Sequence, residues 1–142
     1  MGGDGDAVKN IYRIIDANLN RAREGLRVVE EICRFVLEDK RLTLTVKKLR
    51  GDLSRLKIRE QAIKARRALA DVGRKLYTER ESKRKNIKDV FQSNIKRAEE
   101  AVRVLEEFIK LVDPKSGVSF KKIRFKIYEV EKRISKKLLG CF

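Results

Sequence analysis

Two segments of the sequence repeat one arrangement of polar side chains that could bind phosphate. Residues 18–30 and 94–106 both read N-x-x-R-x-x-E-x-x-R-x-x-E, so the polar residues recur every three positions. Residues three apart on a helix are neighbours, and a guanidinium beside an amide presents several donors to an anion. The spacing therefore predicts that consecutive motif residues are neighbours on a helix, each step turning about −60° around its axis.

The two ends of this motif favour different interpretations. Asn18 and Asn94 continue the apolar stripes of their segments, and an inward-facing amide costs stability unless it is hydrogen-bonded. Arg21 and Arg97 lie one turn further on, close enough to share a site with these amides. We expect either a polar pocket lined by both segments or a buried hydrogen-bond network that fixes helix register. The second arginine of each motif equally suits a ladder of ion pairs without function.

A second group of candidates lies between the repeated segments. Gly73, followed by Arg74, permits a close approach of the backbone or a positive φ, and Asp71 could coordinate Mg²⁺. The same residues also suit a helix C-terminus closed by an Asx turn. Glu81 and Arg84 have the spacing of an ion pair or of two site residues. Neither a Walker A sequence nor a dinucleotide-binding glycine motif is present.

Composition excludes several kinds of chemistry. The 142 residues contain no His and only two Cys, which excludes histidine triads, histidine metal sites and a disulfide framework. A reduced, cytoplasmic protein is the simplest interpretation. With 41% charged residues, no apolar run is long enough to span a membrane, and residues 1–6 do not resemble a signal peptide.

The net charge of +16 is concentrated in the middle of the chain. Residues 40–90 hold eighteen basic and six acidic side chains, a net +12. Such charge suits phosphates, a nucleotide or nucleic acid, although a solvated helical surface also explains it. The aromatic residues, 6% of the chain, do not interleave with the positive charge, which argues against stacking on single-stranded nucleic acid.

The apolar periodicity predicts an all-α fold with about four main helices. Steps of three and four residues predict helices over about 7–38, 42–66, 87–112 and 120–138, and no segment alternates as a strand does. Residues 113–117, Asp-Pro-Lys-Ser-Gly, predict a turn.

The third predicted helix repeats the first. Residues 18–36 and 94–112 are identical at nine of nineteen positions at an offset of 76, and the helices that follow match less closely. A duplicated long helical hairpin can fold as a four-helix bundle. We therefore predict a single helical domain over 1–142, with repeat one over about 8–66, a long crossover over 67–86 and repeat two over about 87–139.

Residues 16–31, DANLNRAREGLRVVEE, resemble the opening of a small helical domain, that of the strictly monofunctional hydroxymethylpyrimidine-phosphate kinase family. That domain is often fused in front of thiamine-phosphate synthase and also occurs alone, and this chain resembles a standalone member. One departure is Arg66-Arg67, where the family usually has an Arg-Asp pair. The resemblance continues in order through residues 48–50, 71–73, 81–84, 89–90, 94–107 and 122–125.

The resemblance implies phosphorylation of 4-amino-5-hydroxymethyl-2-methylpyrimidine phosphate by ATP with Mg²⁺, in thiamine biosynthesis. The acceptor oxygen is already ionised near neutral pH, so no histidine base is needed, and positioning with cationic screening would supply the catalysis. On this hypothesis Arg21 and Arg97 clamp phosphates, while Asn18 and Asn94 contact the aminopyrimidine or a phosphate oxygen. Three carboxylates are candidates for binding Mg²⁺ or for holding the arginines: Glu24, Glu100 and Asp71. The candidates for a phosphate-binding loop are Gly73, Arg74, Glu81 and Arg84. Arg27 and Arg103 are candidates for contacting the substrate.

Two alternatives of other classes stay open at this point. One is a basic helical nucleic-acid-binding protein, and the other is a catalytically inactive accessory protein of the thiamine pathway. The departure at Arg66-Arg67 bears on the second, because an aspartate that held metal or substrate would be missing. We expect ATP and a pyrimidine phosphate as ligands and neither a membrane nor nucleic acid as partner. Association with thiamine-phosphate synthase and a homo-oligomer are left open.

Overall fold

A computed structural model describes residues 3–55, 58–76 and 83–141 and confirms an all-α fold. These residues contain no strand, and none of their helices has both the length and the apolar character needed to cross a membrane. A π-helical turn, Ile32–Val36, extends the first helix, and a 3₁₀ turn, Ala68–Ala70, lies in the crossover. The α-helices of the described residues are Asp4–Glu31 (α1), Lys40–Ser54 (α2), Arg59–Lys64 (α3), Ile87–Ile109 (α4) and Ser116–Cys141 (α5).

The apolar stripes of α1, α2, α4 and α5 meet in one core. Helix α1 packs most extensively on α4, α4 packs on α5, α1 packs on α2, and α2 also contacts α5, which closes a four-helix bundle. Helices α1 and α4 run antiparallel. Gly25, late in α1, contacts Asn94, early in α4, and Ile14, earlier in α1, lines one cavity with Phe108, late in α4. The largest fully buried side chains are Ile15, Leu19, Leu26, Leu53, Phe91, Ile95, Leu105, Ile109, Phe120, Ile127, Ile134 and Leu138.

Side-chain caps and one unusual residue set where the helices begin and end. The Asp39 carboxylate accepts a hydrogen bond from the Leu42 amide (2.9 Å) at the start of α2, and Asn86 caps α4 in the same way. Glu38, with φ of 50°, turns the chain between α1 and α2. These local features end the long first helix where the hairpin must reverse.

Several predicted boundaries are wrong. The second helix was predicted to run unbroken to residue 66, but α2 ends at Ser54 and α3 resumes at Arg59. Ile63, an apolar residue within the helix predicted over 42–66, is 43% exposed, whereas Ala62 beside it is buried and α3 packs on α1. The turn predicted over 113–117 is shorter, since α5 already begins at Ser116.

Candidate functional site

Two cavities adjoin each other where the chain after α3 crosses the α1–α4 pair. The first, of about 740 Å³, lies between α1 and residues 66–71, and we call it the Asp71 cavity. The second, of about 490 Å³, lies between residues 73–76, α1 and α4, and we call it the Arg97 cavity. Asn18, Arg21 and Val104 line both cavities. Both volumes are in the range of small-molecule sites.

The structure brings about half of the predicted site residues to these two cavities. Asp71 lines the first, and the crossover loop contributes Gly73 and Arg74 to the second. The first repeat contributes its Asn and Arg, whereas the second contributes its Arg and Glu. The predicted residues in the two cavities are Asn18, Arg21, Asp71, Gly73, Arg74, Arg97 and Glu100.

Asn18 is buried, and its amide makes hydrogen bonds within its own helix. Its Nδ2 donates to the Ile14 carbonyl (2.8 Å), and its Oδ1 accepts from Arg21 Nη1 (3.4 Å). Asn94 makes the equivalent bond, from Nδ2 to the Val90 carbonyl (2.8 Å). Since these hydrogen bonds stay inside one helix, the two amides do not fix the register between helices. The bond from Arg21 to Asn18 instead orients the Arg21 guanidinium, which lines both cavities.

Most of the arginines that line the two cavities have no carboxylate partner among the described residues. Arg66 is the exception, because its Nε and Nη2 donate to the two oxygens of the buried Asp16 carboxylate at 2.7 and 2.8 Å. These hydrogen bonds from Arg66 to Asp16 raise the pKa of the guanidinium. Among the described residues, no carboxylate lies within ion-pair distance of Arg13, Arg21, Arg67, Arg74 or Arg97. This arrangement is suited to binding polyanions.

The Asp71–Gly73 loop is held by an Asx turn. The Gly73 amide donates to Asp71 Oδ1 (2.8 Å), which confirms the turn interpretation. The glycine does not use a positive φ, but a Cβ there would lie 3.2 Å from Asp71 Oδ1. Small size at Gly73 thus lets the loop fold over Asp71, and the exposed carboxylate remains at the cavity wall.

Arg27 and Arg103 lie outside the cavities and form the ion-pair ladder. Each contacts the glutamates three and four positions further along its helix at N–O distances between 3.0 and 3.9 Å. The first of these glutamates also accepts hydrogen bonds from the next helix, Glu30 from Arg50 (3.1 Å) and Glu106 from Arg124 (2.5 Å). The Arg124 guanidinium lowers the pKa of Glu106. This end of the motif joins each pair of helices and has a structural role.

Four other predicted residues are not placed in the two cavities. Glu24 and Asn94 line neither cavity, because α1 and α4 are in direct contact beside these two residues. The contact is so close that a Cβ added to Gly25 would lie 2.7 Å from the Asn94 carbonyl oxygen. Arg84 lines a separate cavity together with Lys85 and Asp89. Glu81 lies outside the described residues.

The predicted metal ligands do not assemble into one site. Asp71 lines one cavity, Glu100 lines the other, and Glu24 lines neither. The described part of the chain holds no cluster of three acidic or cysteine side chains able to bind a metal ion. Mg²⁺ that accompanies a nucleotide needs only one or two protein carboxylates besides phosphate oxygens, and the exposed Asp71 carboxylate fits that role.

The sequence interpretation missed several residues of the Asp71 cavity. Asp16 appeared only within the resemblance, and Arg66-Arg67 appeared only as a departure from the family pattern. The only available signal for Asp16 was its place beside Ile15 at the edge of the apolar stripe. Arg13 and Phe108 carried no signal, because the crossover residues that line the cavity with them are distant from both in sequence.

Comparisons with known proteins give one family and several relatives. The model of the ThiD2 family matches residues 13–133. The chain is 44% identical over 124 residues to a thiamine-phosphate synthase of Nostoc punctiforme and 46% identical over 121 residues to one of Synechocystis. These matches cover 87% and 85% of this chain but 35% of each relative, so the chain spans about a third of their length. No solved structure matches.

Proposed function

The chain belongs to the ThiD2 family, and we propose that it transfers the γ-phosphoryl group of ATP to 4-amino-5-hydroxymethyl-2-methylpyrimidine phosphate. The resemblance of residues 16–31 to the kinase family supports this reaction. The relatives named above are thiamine-phosphate synthases. The pyrophosphate product is the one used to build thiamine phosphate, so the proposal includes a role in thiamine biosynthesis with thiamine-phosphate synthase as functional partner.

The proposed reaction joins two phosphate groups. A phosphate oxygen of the pyrimidine substrate bonds to the γ-phosphorus of ATP, the bond from that phosphorus to the β,γ-bridging oxygen breaks, and ADP leaves. The attacking oxygen is already ionised near neutral pH, so a protein without histidine lacks nothing that the step requires. The difficulty is the repulsion between two polyanions, which cationic side chains reduce by binding both.

The observation that carries the proposal is the shared wall of the two cavities. Arg21 lines both and donates a hydrogen bond to Asn18, and Arg74 and Arg97 line the Arg97 cavity together with it. Guanidinium groups without carboxylate partners are free to bind phosphate oxygens in pairs. Asp71 would hold Mg²⁺ of the nucleotide, which would neutralise part of the phosphate charge.

A coupled assay with ATP, Mg²⁺ and the pyrimidine phosphate tests the function. Arg97→Ala should lower kcat/KM about a hundredfold or more, because it removes a phosphate contact used in the transition state. Arg103→Ala is the matched control, since it removes the same side chain from the same helix but only from the ion-pair ladder. Arg21→Ala and Arg27→Ala form the equivalent pair on α1.

Two results would contradict the proposal. One is a wild-type protein that forms no pyrimidine pyrophosphate and no ADP. The other is an equal loss of activity in Arg97→Ala and Arg103→Ala when both variants keep the wild-type circular dichroism spectrum, because the site would then not be where the two cavities meet.

A further inference from the structure

We propose that the two cavities divide the substrates, with the nucleotide in the Asp71 cavity and the pyrimidine phosphate in the Arg97 cavity. This inference rests on the proposed function and adds to it the place of each ligand. The phosphates of the two substrates then meet at Arg21, which lines both cavities.

The Asp71 cavity has the features that a nucleoside triphosphate requires. It is the larger of the two, and Phe108 and Ile14 give it an apolar side on which a purine can pack. Arg13 and Arg67 also line this cavity, and their charges have no carboxylate partner among the described residues. Asp71 is placed there to bind the Mg²⁺ that accompanies a triphosphate.

The Arg97 cavity suits a smaller, singly phosphorylated ligand. Arg74 and Arg97 supply cations for one phosphate group, and Glu100 supplies a carboxylate that can accept hydrogen bonds from an exocyclic amino group. Leu76, 72% exposed although apolar, lines the same cavity and can cover one face of a pyrimidine ring.

The shared wall explains how the reacting groups approach each other. One N–H group of Arg21 is used by Asn18, and the guanidinium has further donors for phosphates on either side. Val104, from α4, completes the wall beside it. A phosphate bound in each cavity is therefore next to the same guanidinium.

Titration calorimetry with each ligand alone tests this division. The probes are the β,γ-imido analogue of ATP with Mg²⁺ and the pyrimidine phosphate. Arg67→Gln should raise the Kd of the nucleotide analogue about tenfold and leave that of the pyrimidine phosphate unchanged. Arg74→Gln, the same substitution in the other cavity, should do the reverse. Arg13→Gln and Glu100→Ala give a second variant for each cavity if either of the first two fails to fold.

The outcomes separate the division from the function. The division alone would be overturned if Arg67→Gln and Arg74→Gln changed the Kd values of the two ligands equally, or each changed the Kd of the other ligand, while the wild-type enzyme still formed the pyrophosphate. Competition between the two ligands for wild-type protein would also overturn it, because separate cavities predict simultaneous binding. Wild-type protein that binds neither ligand would overturn the proposed function and the division together.

Discussion

We expect Glu99 to make the stability of this protein depend on pH between about pH 5 and pH 8. Its side chain is buried between α4 and α5, at 5% exposure, and Oε1 has no hydrogen-bond partner in the part of the chain that the structure describes. Lys96 Nζ lies 3.2 Å from Glu99 Oε2 and 3.0 Å from Glu131 Oε2, so one cation serves two carboxylates. Burial, followed by the neighbouring Glu131 carboxyl, raises the pKa of Glu99 from 4.5 to about 7.

The sign and the size of the effect follow from this pKa. Between pH 4.5 and 7 the folded protein holds a proton on Glu99 that the unfolded chain has lost, so the free energy of unfolding falls as the pH rises through this range. A shift of about 2.5 units corresponds to at most about 3 kcal/mol at 1.36 kcal/mol per unit. Since Glu131 and Lys96 share the interaction, we expect a loss of about 1–3 kcal/mol between pH 5 and pH 8.

Glu99→Gln should abolish this loss, because glutamine resembles the protonated carboxyl and carries no charge at any pH. Urea unfolding at pH 5, 6, 7 and 8 measures it: the variant should match wild type at pH 5 and exceed it by about 1–3 kcal/mol at pH 8. The chain has no histidine, and Asp39 and Glu106 have lowered pKa values, so these groups do not titrate in the window.

Glu129→Gln is the control, since it removes an exposed carboxylate from the same helix as Glu131. It should shift the stability equally at all four pH values. The reasoning is refuted if the free energy of unfolding of the wild-type protein is constant or rises from pH 5 to pH 8. It is also refuted if Glu99→Gln changes this free energy by the same amount at pH 5 and at pH 8.

Two further predictions concern the packing of α1. Gly25→Ala should lower the free energy of unfolding by about 1–3 kcal/mol, because its Cβ would lie 2.7 Å from backbone of α4. Gly51→Ala is the control, because a Cβ there would meet only the tip of Arg55, at 4.0 Å. It should raise the free energy of unfolding, measured by urea titration, by about 0.5–1 kcal/mol. Equal effects of the two substitutions would show that α1 and α4 are not in contact at Gly25. Arg66→Ala should cost about 1–3 kcal/mol because Asp16 stays buried without its partner. Arg55→Ala, which removes an exposed pair with Asp52, should change thermal stability little, and a similar loss in both variants would contradict the role of Asp16.

The helical core and part of the site follow from local spacing. Positions such as Ile15, Ala22 and Leu26 are buried as their three- and four-residue steps predict, since burial on a helix is set by angle around its axis. The same geometry predicts that Asn18 and Arg21 share one side of α1. The ladder at Arg27 was also foreseeable, because its partners are in the same helix.

Features that depend on residues distant in sequence were beyond such patterns. Asp16 and Arg66 are fifty positions apart, and their pairing follows from the path of the chain after α3. The apolar spacing also did not show that Ala62, rather than Ile63, would be the buried residue of α3. The spacing of the repeated motif likewise did not show that Asn94 and Glu24 would be separated from the other candidates.

The duplication explains why the motif occurs twice although the cavities use it only in part. The antiparallel pairing of α1 with α4 brings Arg21 and Arg97 to one side of the helix crossing. If the two repeats were used symmetrically, two equivalent half-sites would lie beside these arginines, one next to Asn18 and Glu100 and the other next to Glu24 and Asn94. The chain has a single crossover, and its residues 73–76 cover the half that contains Asn18 and Glu100. In the other half, the contact of Gly25 with Asn94 brings the helix backbones together. The repeat therefore provides the cations in pairs, whereas the crossover determines that one half becomes a cavity beside Arg21.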